Sequence, residues 1–210
     1  MKNYEHWEIA GHTLEYFDDD HVYLVDGVIV DSITQMLKTK FGNKYDGVSR
    51  STLNNASRLG TAVHEAIEKM CKDGTEAELP EIRNFKFLQK QYGFEVLDNE
   101  VPVILSYDDE PISAGRLDLV IEMPLKADRG NSQWNAVGLA DIKRTSTLDK
   151  DYLSYQLNLY RIAYMQCYHT EIEFLRGVHL REDVRKFVNI PINPTMTWDF
   201  IWEYMKGSKE

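Results

Sequence analysis

Three apolar runs, 99–107 (NEVPVILSY), 115–123 (GRLDLVIEM) and 135–143 (NAVGLADIK), follow one another with only short polar connections between them. Runs this short, rich in valine, leucine and isoleucine and separated by turn residues, are strands; consecutive strands without a helix between them pair antiparallel. A chain with this centre is therefore committed to a sheet. The turn signals are Asp108-Asp109-Glu110-Pro111 and Asp128-Arg129-Gly130-Asn131. Reflection about residue 109 sets Glu100 opposite Asp118, and reflection about the centre of 128–131 sets Asp118 opposite Asp141. Opposed residues share a face, so Glu100, Asp118 and Asp141 are expected in a row across three strands. Lys143, two residues beyond Asp141, points the same way while Ile142 packs beneath. Three carboxylates gathered at strand ends repel one another unless a cation or a proton intervenes, and a hard divalent ion is the usual solution. An isolated Asp-x-Lys in a strand marks a solvated face. The coincidence of acids through two independent turns argues for a site.

Helical patterns flank these runs. Ser32 caps a short helix through about Lys40, and 41–50 reads as an exposed loop. From Ser51 to Lys72, Leu53, Ala56, Leu59, Val63, Ile67 and Met70 follow a three-four rhythm that ends at Gly74. His64 lies one turn after Gly60, whose missing side chain is expected to admit a close backbone. No His-Glu-x-x-His motif occurs, which removes the zinc-protease pattern. Pro80 opens a helix through about Gln91 with Ile82, Phe85 and Leu88 inward, closed by Tyr92-Gly93. Lys150 to His169 carries Leu153, Leu157, Tyr160 and Tyr164 as a stripe, with Gln156 one turn from Tyr152 and Tyr160. Strands near 172–180 and 185–191 and a helix near 197–206 complete the pattern, and the last residues are expected to fray. The first 30 residues alternate apolar and polar, with turns at Asp18-Asp19-Asp20 and Asp26-Gly27, a small β-meander. The three aspartates there read as a solvated turn.

The order Gly60-x-x-x-His64, Glu100, Gly115-Arg116-Leu117-Asp118, Asp141-Ile142-Lys143 and Gln156-x-x-x-Tyr160 resembles the RecB-type branch of the PD-(D/E)XK nuclease superfamily over about 60–190. The small size is similar to that of bacteriophage exonucleases of the lambda exonuclease kind. The proline that the superfamily often carries before its first aspartate is replaced by Leu117, and two cysteines cannot supply a four-cysteine iron–sulfur cluster. The resemblance implies an α/β restriction-endonuclease-like core at 51–210, a mixed sheet flanked by helices, with 1–50 as an amino-terminal β-rich extension. It further implies that Asp118 and Asp141 bind magnesium or manganese with the Ile142 carbonyl, that His64 and Glu100 complete the metal site, and that Lys143 orients or activates the attacking water. Arg116 and Arg144 would bind DNA, and Gln156 and Tyr160 would lie beside the DNA strand or brace the site. The function implied is a metal-dependent deoxyribonuclease acting from DNA ends in phage recombination or DNA processing. A single-strand annealing or other recombination protein would be its partner, and a homo-oligomer its assembly. The alternative is a non-catalytic nucleic-acid-binding or assembly protein on a nuclease-like fold. A two-carboxylate glycosidase fits less well, since adjacent-strand acids beside a lysine suit phosphate better than a sugar.

Composition sets limits on these readings. The 210 residues suffice for one substantial core. No stretch reaches the roughly 18 apolar residues of a membrane span, and the beginning lacks the apolar segment of a secretory signal, so the expected location is cytoplasmic, in a bacterial host if the chain is phage-encoded. Two cysteines 96 positions apart suit a reducing compartment. The net charge of −10 argues against electrostatic coating of DNA. It is uneven, however: residues 141–187 hold eight basic and seven acidic side chains, a net of +1, so the remainder carries −11. An acidic body with a near-neutral segment fits an enzyme that meets DNA in a restricted groove, and equally a protein that binds none.

Overall fold

The computed structural model describes residues 4–18, 21–42, 47, 49–126 and 133–207. The meander expected at the amino terminus is there as β1 (Tyr4–Ile9), β2 (His12–Phe17), β3 (Val22–Val25) and β4 (Val28–Ser32), each antiparallel to the next. Two of its turns are two-residue loops with positive φ at both positions, Ala10-Gly11 and Asp26-Gly27, the handedness that matches strand twist. Ser32 then accepts from the Gln35 N–H while the Gln35 side chain accepts from the Ser32 N–H, a capping box that starts α1 (Ile33–Phe41). The Ser49 hydroxyl opens α2 (Arg50–Asp73), and Gly74, at φ 75°, ends it. Pro80 begins α3 (Pro80–Tyr92), and Gly93 closes it in the left-handed region.

The three central strands are β5 (Glu95–Tyr107), β6 (Glu110–Lys126) and β7 (Gln133–Lys143), followed by α4 (Lys150–Tyr168), β8 (Phe174–Leu180), β9 (Arg185–Ile190) and α5 (Pro194–Gly207). They form one mixed sheet. β6 pairs antiparallel with β5 along most of its length, and it also pairs with β4, in parallel at Ser113 and Ala114, and with β7, antiparallel from Leu119 onward. α4 carries the chain across to β8, which runs parallel to β7 as a crossover of this length requires, and β9 returns antiparallel. The amino-terminal strands are therefore continuous with the central sheet through β4 and β6.

Helices cover both faces. On one, α1, α4 and α5 bury Ile33, Leu37, Leu153, Leu157, Phe200 and their neighbours against the sheet; on the other, α2 and α3 bury Val63, Ile67, Phe85 and Leu88 over Leu119, Ile121, Ala140 and Ile142. Strand β7 divides between these cores by alternation, Leu139 to the first and Ala140 and Ile142 to the second. Asp141 and Lys143 accordingly fall on the α4 side. Cys71 in α2 and Cys167 in α4 are both free thiols. No helix of the described residues is long and apolar enough to cross a membrane. The turns expected at Asp19-Asp20 and 128–131 and most of the 41–50 loop lie outside the described residues.

The first reflection holds, for a different reason than the turn residues indicated, and the second is followed as far as Leu119 and Ala140. The β5–β6 turn is tight, Asp108-Asp109 with φ 51° and 65°, and pairs Tyr107 with Glu110, half a residue off the expected centre. A bulge between Leu105 and Ser106 then shifts the ladder, so that Val101 faces Leu117 and Asn99 faces Leu119, bracketing Glu100 and Asp118. Across the second connection Leu119 pairs with Ala140, the last pair before Asp118 and Asp141.

Candidate metal centre

Asp118 lies where β6 and β7 stop pairing. Its Oδ2 accepts the Ile142 N–H at 2.6 Å, which ties the aspartate to the β7 backbone across the gap and leaves Oδ1 free to face α2. From α2, His64 reaches three partners: Nε2 is 3.1 Å from the Ile142 carbonyl, and Nδ1 stands 3.6 Å from Asp118 Oδ1 and 3.8 Å from Glu100 Oε1. Glu100 arrives from β5 at a residue with φ 50°, a left-handed conformation that costs a non-glycine about 1 kcal/mol or more and is retained where surrounding structure imposes it. One ligand atom each from His64, Glu100 and Asp118 fall within 4.8 Å of one another, all three residues half-buried. With Nε2–H donating to Ile142, the imidazole turns an Nδ1 lone pair toward two carboxylates, and that arrangement calls for a positive charge between them. Without a metal the proton supplies it: burial disfavours the imidazolium, but Asp118, Glu100 and Asp141 outweigh burial and raise the His64 pKa to about 9.

Asp141 and Lys143 form the adjoining pair. Asp141 is almost fully buried, and the Lys143 ammonium lies 2.6 Å from its Oδ2. The ammonium serves this buried oxygen both by charge and as a hydrogen-bond donor, and among the described residues no second donor reaches it. Burial pushes the Asp141 pKa up to about 6, with Lys143 opposing and Asp118 adding to the rise. For Lys143, burial works against the charge, yet Asp141 and Asp118 prevail and its pKa rises, so it stays an ammonium. One imidazole nitrogen and two carboxylates converging on one point are a donor set that suits a metal ion.

The structure thus brings together His64, Glu100 and Asp118, anchors them on the Ile142 peptide, and sets Asp141 beside them but turned to Lys143. The remaining expected residues divide. Arg116 borders the cluster: Nη1 pairs with Glu5 of β1 at 2.6 Å, Nε is 3.6 Å from Glu100 Oε2, and the guanidinium lies 5.0 Å over the Tyr16 ring. Tyr160 is buried, and burial, followed by the charges of its neighbours, lifts its pKa well above the ordinary value, so it acts as a neutral hydroxyl. It packs on Gly115, where a Cβ would come 3.0 Å from its Oη. Gln156 is buried with its Oε1 unpartnered. Arg144 is held by the buried Glu81 at the start of α3, Nε to Oε1 at 2.8 Å, which binds α3 to the end of β7. Gly60 departs from expectation: a Cβ there would meet no atom within 4 Å, because the glycine borders open space where a packed strand was expected.

That open space is a groove of about 930 Å³ between the meander and α2, with His64, Glu100 and Arg116 on its walls and Gly60, Thr61, Glu65 and Glu68 along the helix side. A smaller cavity of about 360 Å³ adjoins it through Arg116, Glu100, Tyr16 and His21 and reaches Tyr23, Tyr160 and the start of α1. Glu5, Tyr16 and His21 are the residues that the linear pattern did not single out. Glu5 is one of two acids in the edge strand β1, the other being Glu8, and nothing within its own segment distinguishes it.

No family model matches the chain, and no curated protein matches it. Among solved structures it is similar to one titled "Crystal structure of SSO0001", at 13% identity over 86% of this chain and 77% of that one, with a TM-score of 0.43.

Proposed function

We propose that this chain is a metal-dependent deoxyribonuclease on a restriction-endonuclease-like core, hydrolysing phosphodiester bonds from DNA ends. The observation that carries this reading is the convergence of His64, Glu100 and Asp118 within 4.8 Å, beside a buried carboxylate–ammonium pair and open to a groove. A bound magnesium or manganese supplies charge to the scissile phosphate and acidifies a water. The chain's own groups do the rest. Asp118, fixed through Ile142 N–H, and His64, fixed through Ile142 C=O, present Oδ1 and Nδ1 as ligands with Glu100 at their side. Lys143, kept protonated by its acidic neighbours, faces charge developing on the phosphate oxygens. The carboxylates of Glu100 and Asp118 repel a polyanion at the centre until a cation neutralises them, so substrate entry depends on the cation. With no base-reading motif in the chain, selection rests on geometry and not on base contacts.

End-labelled linear duplex, single-stranded DNA and covalently closed circles, each incubated with magnesium, manganese or chelator, test the proposal. Progressive loss of the linear substrate, spared circles and silence in chelator are expected. Absence of cleavage with either ion on every substrate overturns the nuclease reading; rapid cutting of circles overturns end dependence alone.

A further inference from the structure

Arg116 is shared between two carboxylates of different standing. Glu5, on the edge strand β1, holds Nη1 at 2.6 Å in a partly exposed ion pair; Glu100 holds Nε at 3.6 Å through Oε2 while its other oxygen, Oε1, faces His64 Nδ1 at 3.8 Å. One carboxylate therefore serves the arginine and the cluster at once. The guanidinium is fixed over Tyr16 and borders both the groove and the smaller cavity beside it, so an anion entering either reaches it. Resting on the metal-centre reading above, we infer that Glu5, Arg116 and Glu100 form a charge latch, in which Arg116 is neutralised by the two glutamates until Glu100 turns to a cation and is then released to take a phosphate oxyanion of the substrate backbone.

The physical basis is competition for one fork of donors. An arginine with two carboxylates has its charge overcompensated, and an incoming phosphate meets net repulsion. When the charge of Glu100 is spent on a cation, only Glu5 remains, and this exposed pair is a weak competitor. Guanidinium also matches phosphate in a bidentate manner that a single side-on glutamate does not saturate. The amino-terminal meander thereby contributes a working residue to the site: Glu5 sets how strongly the groove refuses anions before the cation arrives.

The test uses the full chain with inorganic phosphate as the probe, titrated calorimetrically in chelator and at saturating manganese, for wild type, Glu5→Gln and Arg116→Gln. Glu5→Gln conserves size on an exposed strand. In chelator it should bind phosphate about two- to fivefold more tightly than wild type, the worth of an exposed ion pair. The enhancement by manganese should remain in this variant, because Glu100 still turns to the cation, and Arg116→Gln should bind weakly in both conditions. A short thymidine oligonucleotide should displace the phosphate, and failure to do so overturns the assignment to substrate backbone. Equal phosphate affinity in Glu5→Gln and wild type, or no manganese binding in any of the three, overturns the latch. A latch that behaves as stated in a protein that cuts no DNA overturns the hydrolytic reading and leaves the latch standing.

Discussion

At the scale of single residues, the site is a set of charges held near one another by the backbone of Ile142. Asp118→Asn preserves an oxygen for the Ile142 N–H while removing the negative charge, so the fold should persist and the metal centre should not. On the proposed reading we expect manganese affinity to collapse, cleavage to fall by about a hundredfold or more, and the melting temperature of the metal-free protein to change little, since relief of repulsion with Glu100 and Asp141 is set against lost attraction to the His64 imidazolium and Lys143. Calorimetry and thermal melts on the same sample check this, and full activity in the variant excludes Asp118 as a ligand. Lys143→Gln has a different signature. It should lower turnover by about 10²-fold or more with little change in manganese affinity. It should also destabilise the metal-free chain by about 1–3 kcal/mol near pH 8, because a buried carboxylate loses its counter-charge. The sign with pH follows from Asp141, whose pKa is raised from 3.8 to about 6 in the fold. The folded state prefers the neutral acid, so stability declines as pH rises from about 4 through 6, and without Lys143 this decline extends to higher pH. Melting temperatures of variant and wild type should converge at pH 5 and separate at pH 8; parallel curves would show that Lys143 does not balance Asp141.

Among elements, α4 packs chiefly against β5 and reaches β6 through Tyr160. Tyr160 lies over Gly115 so closely that an added Cβ would stand 3.0 Å from its Oη and 3.1 Å from Cε1. Tyr160 also gives the smaller cavity an aromatic wall beside Gly115 and Arg116. Gly115→Ala should cost about 1–3 kcal/mol of stability, the usual penalty of overpacking. Pairing it with Tyr160→Leu, which withdraws the ring, should recover most of that loss in urea denaturation. Additive losses in the double variant would mean the two residues do not share the strain. Elsewhere the elements are set locally. The capping box at Ser32 and Gln35, the proline at the head of α3 and the left-handed glycines at 74 and 93 mark helix ends that could be read from the chain. The bulge between Leu105 and Ser106 could not, since nothing in those residue types separates a bulged strand from a regular one.

For the molecule as a whole, the amino-terminal strands are part of the main sheet. Ile9, Leu14, Tyr16, Tyr23 and Val25 are buried in the same core as α1, α4 and the central strands, and β4 joins β6 directly. A chain lacking residues 1–31 should therefore fail to fold cooperatively, exposing both that apolar surface and the free edge of β6. Loss of a sigmoidal melt and association on size-exclusion chromatography are the expected results. A truncated chain that melts as sharply as the full one would make the meander a separable appendage.

What the sequence determined by itself is whatever depends on near neighbours. The alternation of β7 places Asp141 and Lys143 on one face, and the three-four rhythm of α2 and α3 places their apolar stripes on the sheet. The turn-bounded runs fix an antiparallel centre, and with it the approach of Asp118 to the end of β7. These follow from periodicity and turn chemistry, which act over a few residues. Tertiary structure alone decided the rest. It turned Asp141 to Lys143 and His64 to the Ile142 peptide, committed Arg144 to Glu81, left Gly60 beside open space, and brought Glu5 across 111 positions to Arg116. Partners of that kind are chosen by which charges remain unneutralised once the core has closed, a quantity that belongs to the packed molecule and to no segment of it.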